Sequence, residues 1–188
     1  MKLLMLGNSL TTANNLPDIL AKKLNAEVTV HARSGARLSE HLNPDTTMGK
    51  LTLSALANEK FDYVILQEMS KAPAVNTKAF LKSASRLCEL IHKNCAIPIF
   101  YATWGYRKGS AKLTSTKMTY DEMYSKMHSA YLKAASDNKA LIADVCKAFY
   151  EYPNNEILYA ADGVHPSELG TYIVADYIIA TINNHKGL

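Results

Sequence analysis

Three side chains that could act together stand at opposite ends of this sequence. Ser9 follows the apolar run Leu3–Leu6 in a Gly7-Asn8-Ser9 turn, and Asp162 and His165 lie three apart in "ADGVHPSELG", residues 161–170. A serine hydroxyl is a weak nucleophile near neutral pH. It needs a base within hydrogen-bond reach, and the base needs a partner that fixes its tautomer. Histidine is the side chain suited to that base. With Gly163 and Val164 between them, Asp162 can fold back onto one ring nitrogen of His165 and leave the other for Ser9. The chemistry is attack on a carbonyl. The oxyanion that develops needs fixed donors, each worth about 3 to 4 kcal/mol where one has been removed. The main-chain N–H groups of Ser9 and Gly35 and the side-chain amide of Gln67 are the expected donors. Taken singly, Ser9 reads as a turn or cap residue, Asp162-Gly163 as a turn start and Gly35 as a turn with positive φ. The joint pattern favours catalysis.

Such residues must be delivered by a framework. Brief apolar runs at Leu3–Leu6, Val28–His31, Tyr63–Leu66, Ile97–Tyr101 and Leu141–Val145 predict five strands. Segments of helical spacing fall at 16–24, 46–58, 76–94, 119–138 and from Ser167 to about Asn183. This alternation predicts one α/β domain over residues 1–188, a mostly parallel sheet with helices on both faces in a three-layer sandwich. Ligands in such sheets bind beyond the carboxyl ends of the strands, where the strand order reverses. Polar residues cluster at those ends: Asn8 and Ser9, then Ser34 and Gly35, then Gln67, Glu68 and Ser70, then Trp104. Asn8, Glu68 and Trp104 are the expected substrate contacts. Trp104 to Thr119 reads as the longest loop, placed to border a site.

Composition narrows the classes. The net charge of +4 is spread along the chain without a run of five like charges, so nucleic acid is not an expected partner. No stretch approaches the roughly 18 apolar residues of a membrane span, and no signal-peptide pattern opens the given chain, so a cytoplasmic location is expected. Cys88, Cys95 and Cys146 form no C-x-x-C pair and fit buried, reduced thiols. His31, His41, His92 and His128 have no carboxylate or cysteine at ligand spacing, so no metal is expected. The first turn lacks the glycine pattern of dinucleotide sites and the Gly-Lys-Ser/Thr of a P-loop, and Ser9 lacks the G-x-S-x-G elbow of α/β-hydrolases.

The blocks carry a family resemblance. "GNSLT" resembles the GDSL-like first block of the SGNH hydrolases with Asn8 in place of Asp, and "DGVHPS" resembles the block that closes that family. Gly35 in "SGARL" is similar to the second-block glycine, whose N–H serves the oxyanion hole. The matches run from residue 5 to 170. The resemblance implies a flavodoxin-like α/β/α fold and hydrolysis of small esters by Ser9 as nucleophile, His165 as base and acid, and Asp162 as orienter, without metal or organic cofactor. The family's third block, Gly-x-Asn-Asp, is absent. In its place stands Leu66-Gln67-Glu68, as in a divergent branch that also carries Thr103-Trp104-Gly105, and Gln67 is the expected replacement donor. Short-acyl, in particular acetyl, esters of carbohydrates are the first expected substrates, with lipid or thioesters second. The alternatives are a non-catalytic sugar or acyl-ligand binder on the same fold, and a metal-dependent hydrolase for which further ligands are missing.

Overall fold

A computed structural model describes residues 1–187. Five strands, β1 (Lys2–Gly7), β2 (Glu27–Ala32), β3 (Tyr63–Leu66), β4 (Ile97–Tyr101) and β5 (Leu141–Ala143), form one parallel sheet in the order β2-β1-β3-β4-β5. Among the described residues the helices are α1 (Ser9–Thr12), α2 (Leu16–Leu24), α3 (Thr47–Asn58), α4 (Ala72–Val75), α5 (Thr77–Lys93), α6 (Ala111–Ser115), α7 (Tyr120–Asp137), α8 (Val145–Glu151) and α9 (Glu168–Lys186). The expected three-layer α/β/α sandwich is the fold observed.

Strand alternation divides the core into two layers. Leu4, Leu6, Val64, Leu66 and Phe100 point to one face and pack beneath α3, α5 and α7. Leu3, Met5, Tyr63, Ile65, Ile99 and Tyr101 point to the other, beneath α2, α8 and α9. Both faces are covered, which is why the central strands are continuous apolar runs. The chain leaves β1 for β2 on one side and returns past it to β3 on the other. The order therefore reverses beside β1, and the crevice at its carboxyl end opens next to Ser9.

The long helices lie within a few residues of their expected positions. Their ends carry local signals: Thr46, Thr119 and Ser167 accept from the N–H of Gly49, Glu122 and Gly170 as N-caps. Two expectations need correction. The run Leu141–Val145 is not all strand, because Asp144 accepts from Lys147 N at 3.2 Å and starts α8 at Val145. Nor are all three thiols buried: Cys95 is exposed, in a left-handed turn between α5 and β4.

A polar cluster lies inside the layer under α3. His41 is wholly buried in the 3-10 turn Leu38–Leu42, and its Nδ1 is 2.9 Å from Thr52 Oγ1, which is also 3.3 Å from His31 Nδ1. Burial, reinforced by the neighbouring His31 ring, pushes His41 down to about 4. The folded state thus takes up the proton less readily than the unfolded chain. The stability this implies is fully present above the ordinary histidine value near 6.5 and is lost as pH falls from there toward 4. Glu68, whose carboxyl burial pushes up to about 7, contributes with the opposite sign over the same window, so the expected outcome is read as a difference: by urea unfolding the stability of the wild type relative to His41→Gln falls by about 3 kcal/mol as pH drops across it.

Candidate active site

The turn after β1 is set by a close approach of two strand ends. A Cβ on Gly7 would lie 2.1 Å from Thr11 Oγ1 and 2.6 Å from Gln67 Oε1, so only glycine fits. Asn8 is buried and caps α1: its Oδ1 accepts from Leu10 N at 3.1 Å, while its Nδ2 donates to Ala36 O at 3.0 Å. Ser9 is then the first residue of α1, half-buried at the mouth of the crevice.

Ser9 Oγ lies 2.8 Å from His165 Nε2, and His165 Nδ1 lies 2.5 Å from Asp162 Oδ2. The other Asp162 oxygen accepts from the N–H groups of Val164 at 2.9 Å and His165 at 3.0 Å. Partial burial raises the Asp162 carboxyl, but the ring N–H and the two main-chain N–H groups outweigh it and hold the group below the usual carboxylate value. It stays ionised, keeps a proton on Nδ1, and so leaves Nε2 as an acceptor toward Ser9.

The loop carrying these two residues is fastened by its main chain. Ala160 N donates to His165 O at 2.8 Å, and Tyr159 bridges to Pro166. From outside, Arg107 N donates to Gly163 O at 2.8 Å, Trp104 Nε1 to Val164 O at 3.0 Å and Asn14 Nδ2 to Pro166 O at 3.1 Å.

The expected donors divide. Gly35, at φ +70°, is the third residue of a turn closed by Ala36 N to Arg33 O at 2.9 Å, and it lines the cleft beside Ser9. Among the described residues no acceptor takes the N–H of Ser9 or Gly35. Gln67 is different. Asn8 N–H can only donate, so the Gln67 atom 2.9 Å from it is Oε1, which also accepts from Thr11 Oγ1 at 3.0 Å. Its Nε2 is thereby turned to Glu68 O. Gln67 is wholly buried and does not line the cleft, so the expectation of a donor there is corrected.

No protein-family model and no curated protein matches the chain. Among solved structures, a candidate SGNH hydrolase from Slackia heliotrinireducens is 50% identical, with a TM-score of 0.94 over 97% of this chain and 98% of its own. The chain belongs to the SGNH hydrolases. Two more distant structures share the fold. A lipase/acylhydrolase from Enterococcus faecalis is 16% identical with a TM-score of 0.70, covering 98% of this chain and 96% of its own. An acetyl xylan esterase is 18% identical with a TM-score of 0.73, covering 96% and 98%.

The cleft of this SGNH hydrolase holds about 240 Å3 and is lined by Asn8, Ser9, Gly35, Asp162 and His165 together with residues the sequence did not single out. Tyr106, Met69 and Lys112 belong to that second set. Ser70 Oγ and Tyr106 OH are 3.0 Å apart, and the pair leaves one hydroxyl proton for a substrate oxygen or for Met69 Sδ, 3.9 Å away. Two expected substrate contacts lie elsewhere. Glu68 is buried beneath the cleft, where burial pushes its carboxyl up to about 7 although the N–H groups of Met69 and Leu38 bond to it. Trp104 is buried too, stacked on Phe149 at 3.9 Å, and reaches the cleft only through its bond to the loop of His165. The loop expected from Trp104 to Thr119 contains α6, whose first turn Ser110 caps. Trp104→Phe keeps most of the stack and removes the N–H. The expected outcome in steady-state kinetics is a fall of about 10- to 100-fold in kcat/KM, and in urea unfolding a loss of about 1 to 2 kcal/mol.

Proposed function

We propose that this SGNH hydrolase is a serine esterase acting on small carboxylic esters with short acyl groups. The observation that carries the reading is the unbroken hydrogen-bonded chain from Ser9 Oγ through both nitrogens of His165 to Asp162. In the proposed cycle Ser9 Oγ attacks the ester carbonyl as its proton passes to His165 Nε2. Asp162 holds the resulting imidazolium, and the tetrahedral oxyanion takes the N–H groups of Ser9 and Gly35. The proton then moves from Nε2 to the departing alcohol as the carbon–oxygen bond breaks. Water, deprotonated by the same nitrogen, attacks the acyl-enzyme and releases the acid. The Ser70–Tyr106 hydroxyl pair is the proposed source of a further donor, since Gln67 is committed to the turn.

The size and lining of the cleft support a small acyl group. At about 240 Å3 it falls below the 300–1,000 Å3 common for drug-sized ligands, and hydroxyls and a lysine border it. A long alkyl chain would find no apolar tunnel among the described lining residues. Acetyl esters of carbohydrates remain the first substrates to assay, ahead of lysophospholipids and acyl thioesters.

The test needs no knowledge of the natural substrate. A fluorophosphonate ester reacts only with serines activated by a base and an oxyanion hole. Intact-mass analysis is expected to show one adduct on the folded protein, and none on Ser9→Ala or after heat unfolding. Asp162→Asn should lower turnover of an acetyl ester by about 10^3- to 10^4-fold. Absence of an adduct on the folded protein would turn the assignment to a ligand-binding protein that retains the fold.

A further inference from the structure

The segment that edges the cleft is charged with one sign. From Arg107 to Lys117 it carries Arg107, Lys108, Lys112 and Lys117 and no carboxylate. It is also held in place. Arg107 N donates to Gly163 O in the His165 loop, and Leu113 is buried behind the Ser110 cap of α6. This fixes α6 at the rim, and Lys112 on it lines the cleft. Two further cations neighbour cleft-lining residues in sequence: Arg37, exposed after the Gly35 turn and near enough to the buried Glu68 carboxyl to act on it, and Lys71, which follows Ser70. Among the described residues none of these six cations lies within 4 Å of a carboxylate.

The carboxylates nearby are engaged elsewhere than with Lys112. Asp162 is the acid that lines the cleft, and its oxygens are taken by His165 and two main-chain N–H groups. Glu68 is buried below, bonded to Met69 N. A cation without a carboxylate partner at the edge of a cleft attracts ligands of the opposite sign and speeds their capture, an effect that falls with ionic strength.

We propose that the cleft selects esters bearing an anionic group, such as a carboxylate or sulfonate, and that Lys112 is the specificity-determining residue that meets it. This rests on the esterase reading. Lys112 reaches the cleft from a short helix fastened on both sides, so its ammonium is offered at the mouth, while the Ser70–Tyr106 hydroxyls supply uncharged donors further in. A neutral acetyl ester would satisfy the nucleophile but leave the cation unpaired.

Two substrate pairs separate charge on the alcohol from charge on the acyl group. The first is 4-acetoxybenzenesulfonate against 4-acetoxybenzenesulfonamide, and the second is the 4-nitrophenyl monoester of glutaric acid against 4-nitrophenyl pentanoate. The readout is the ratio of kcat/KM, anionic over neutral, in wild type and in Lys112→Glu. The expected result is a ratio of about 10 in at least one pair at low ionic strength, collapsing toward one in about 0.5 M salt and falling at least as far in Lys112→Glu. Ratios at or below one in both pairs, or a ratio unchanged in Lys112→Glu, would overturn the proposal. Fluorophosphonate labelling of the same samples separates the two levels. A Ser9 adduct with equal ratios removes only the charge preference, whereas no adduct and no turnover removes the esterase reading together with it.

Discussion

The buried carboxamide of Gln67 is the point on which the geometry of the cleft depends. One oxygen atom accepts from Asn8 N and from Thr11 Oγ1, so the first residues after β1 and the first turn of α1 are tied to the end of β3. A buried amide leaves little freedom in this arrangement, because an unpaired donor or acceptor there costs about 1 to 3 kcal/mol. Gly7 follows from it, since the approach leaves no room for a side chain. Asn8 follows as well, with its own amide passed on to Ala36 O beyond the Gly35 turn. Three strand ends are thereby locked together, and Ser9 is held where the sheet order reverses.

The other half of the cleft is positioned by different means. His165 and Asp162 sit on a loop with no regular structure, and the rigidity they need comes from bonds to its carbonyls. Trp104 and Arg107, from the segment after β4, and Asn14, from the turn before α2, each donate to one of them. Trp104 in turn is clamped by Phe149 of α8, whose edge meets Tyr159 at the start of the loop. The aromatic layer beneath α8 and the position of the imidazole are one mechanical unit.

Much of this was legible in the sequence, for identifiable reasons. Buried parallel strands must be apolar on both faces, so Leu3–Leu6 and Tyr63–Leu66 declared themselves, and capped amphipathic helices fell close to their observed ends. Asp162 and His165 could be paired because a separation of three makes their contact local. The hydroxyl and the imidazole, 156 positions apart, could be joined through the rule that places ligands at strand ends and through the resemblance of their two blocks to those of the SGNH hydrolases. What stayed hidden is orientation. The residue types at Gln67 and Trp104 suit a donor and a platform, but whether a side chain at a strand end turns into the cleft or under it depends on its partners in space. Asn8 N–H and Val164 O decide it, and neither has a sequence signature. Tyr106 and Lys112 were obscured in the opposite way, lying in a stretch that reads as loop until α6 and its Ser110 cap bring it against the His165 loop.

The fastening of the His165 loop by carbonyl groups separates its shape from the identity of several of its side chains. Every residue has a carbonyl, so Ala161, which is exposed, and Val164, which is half-buried and borders the cleft, can be exchanged without removing an anchoring bond. Position 164 in particular lines the cleft while its carbonyl is held by the indole N–H of Trp104. This hydrolase is therefore built to have the contour of its cleft varied, by evolution or by design, independently of the placement of its imidazole.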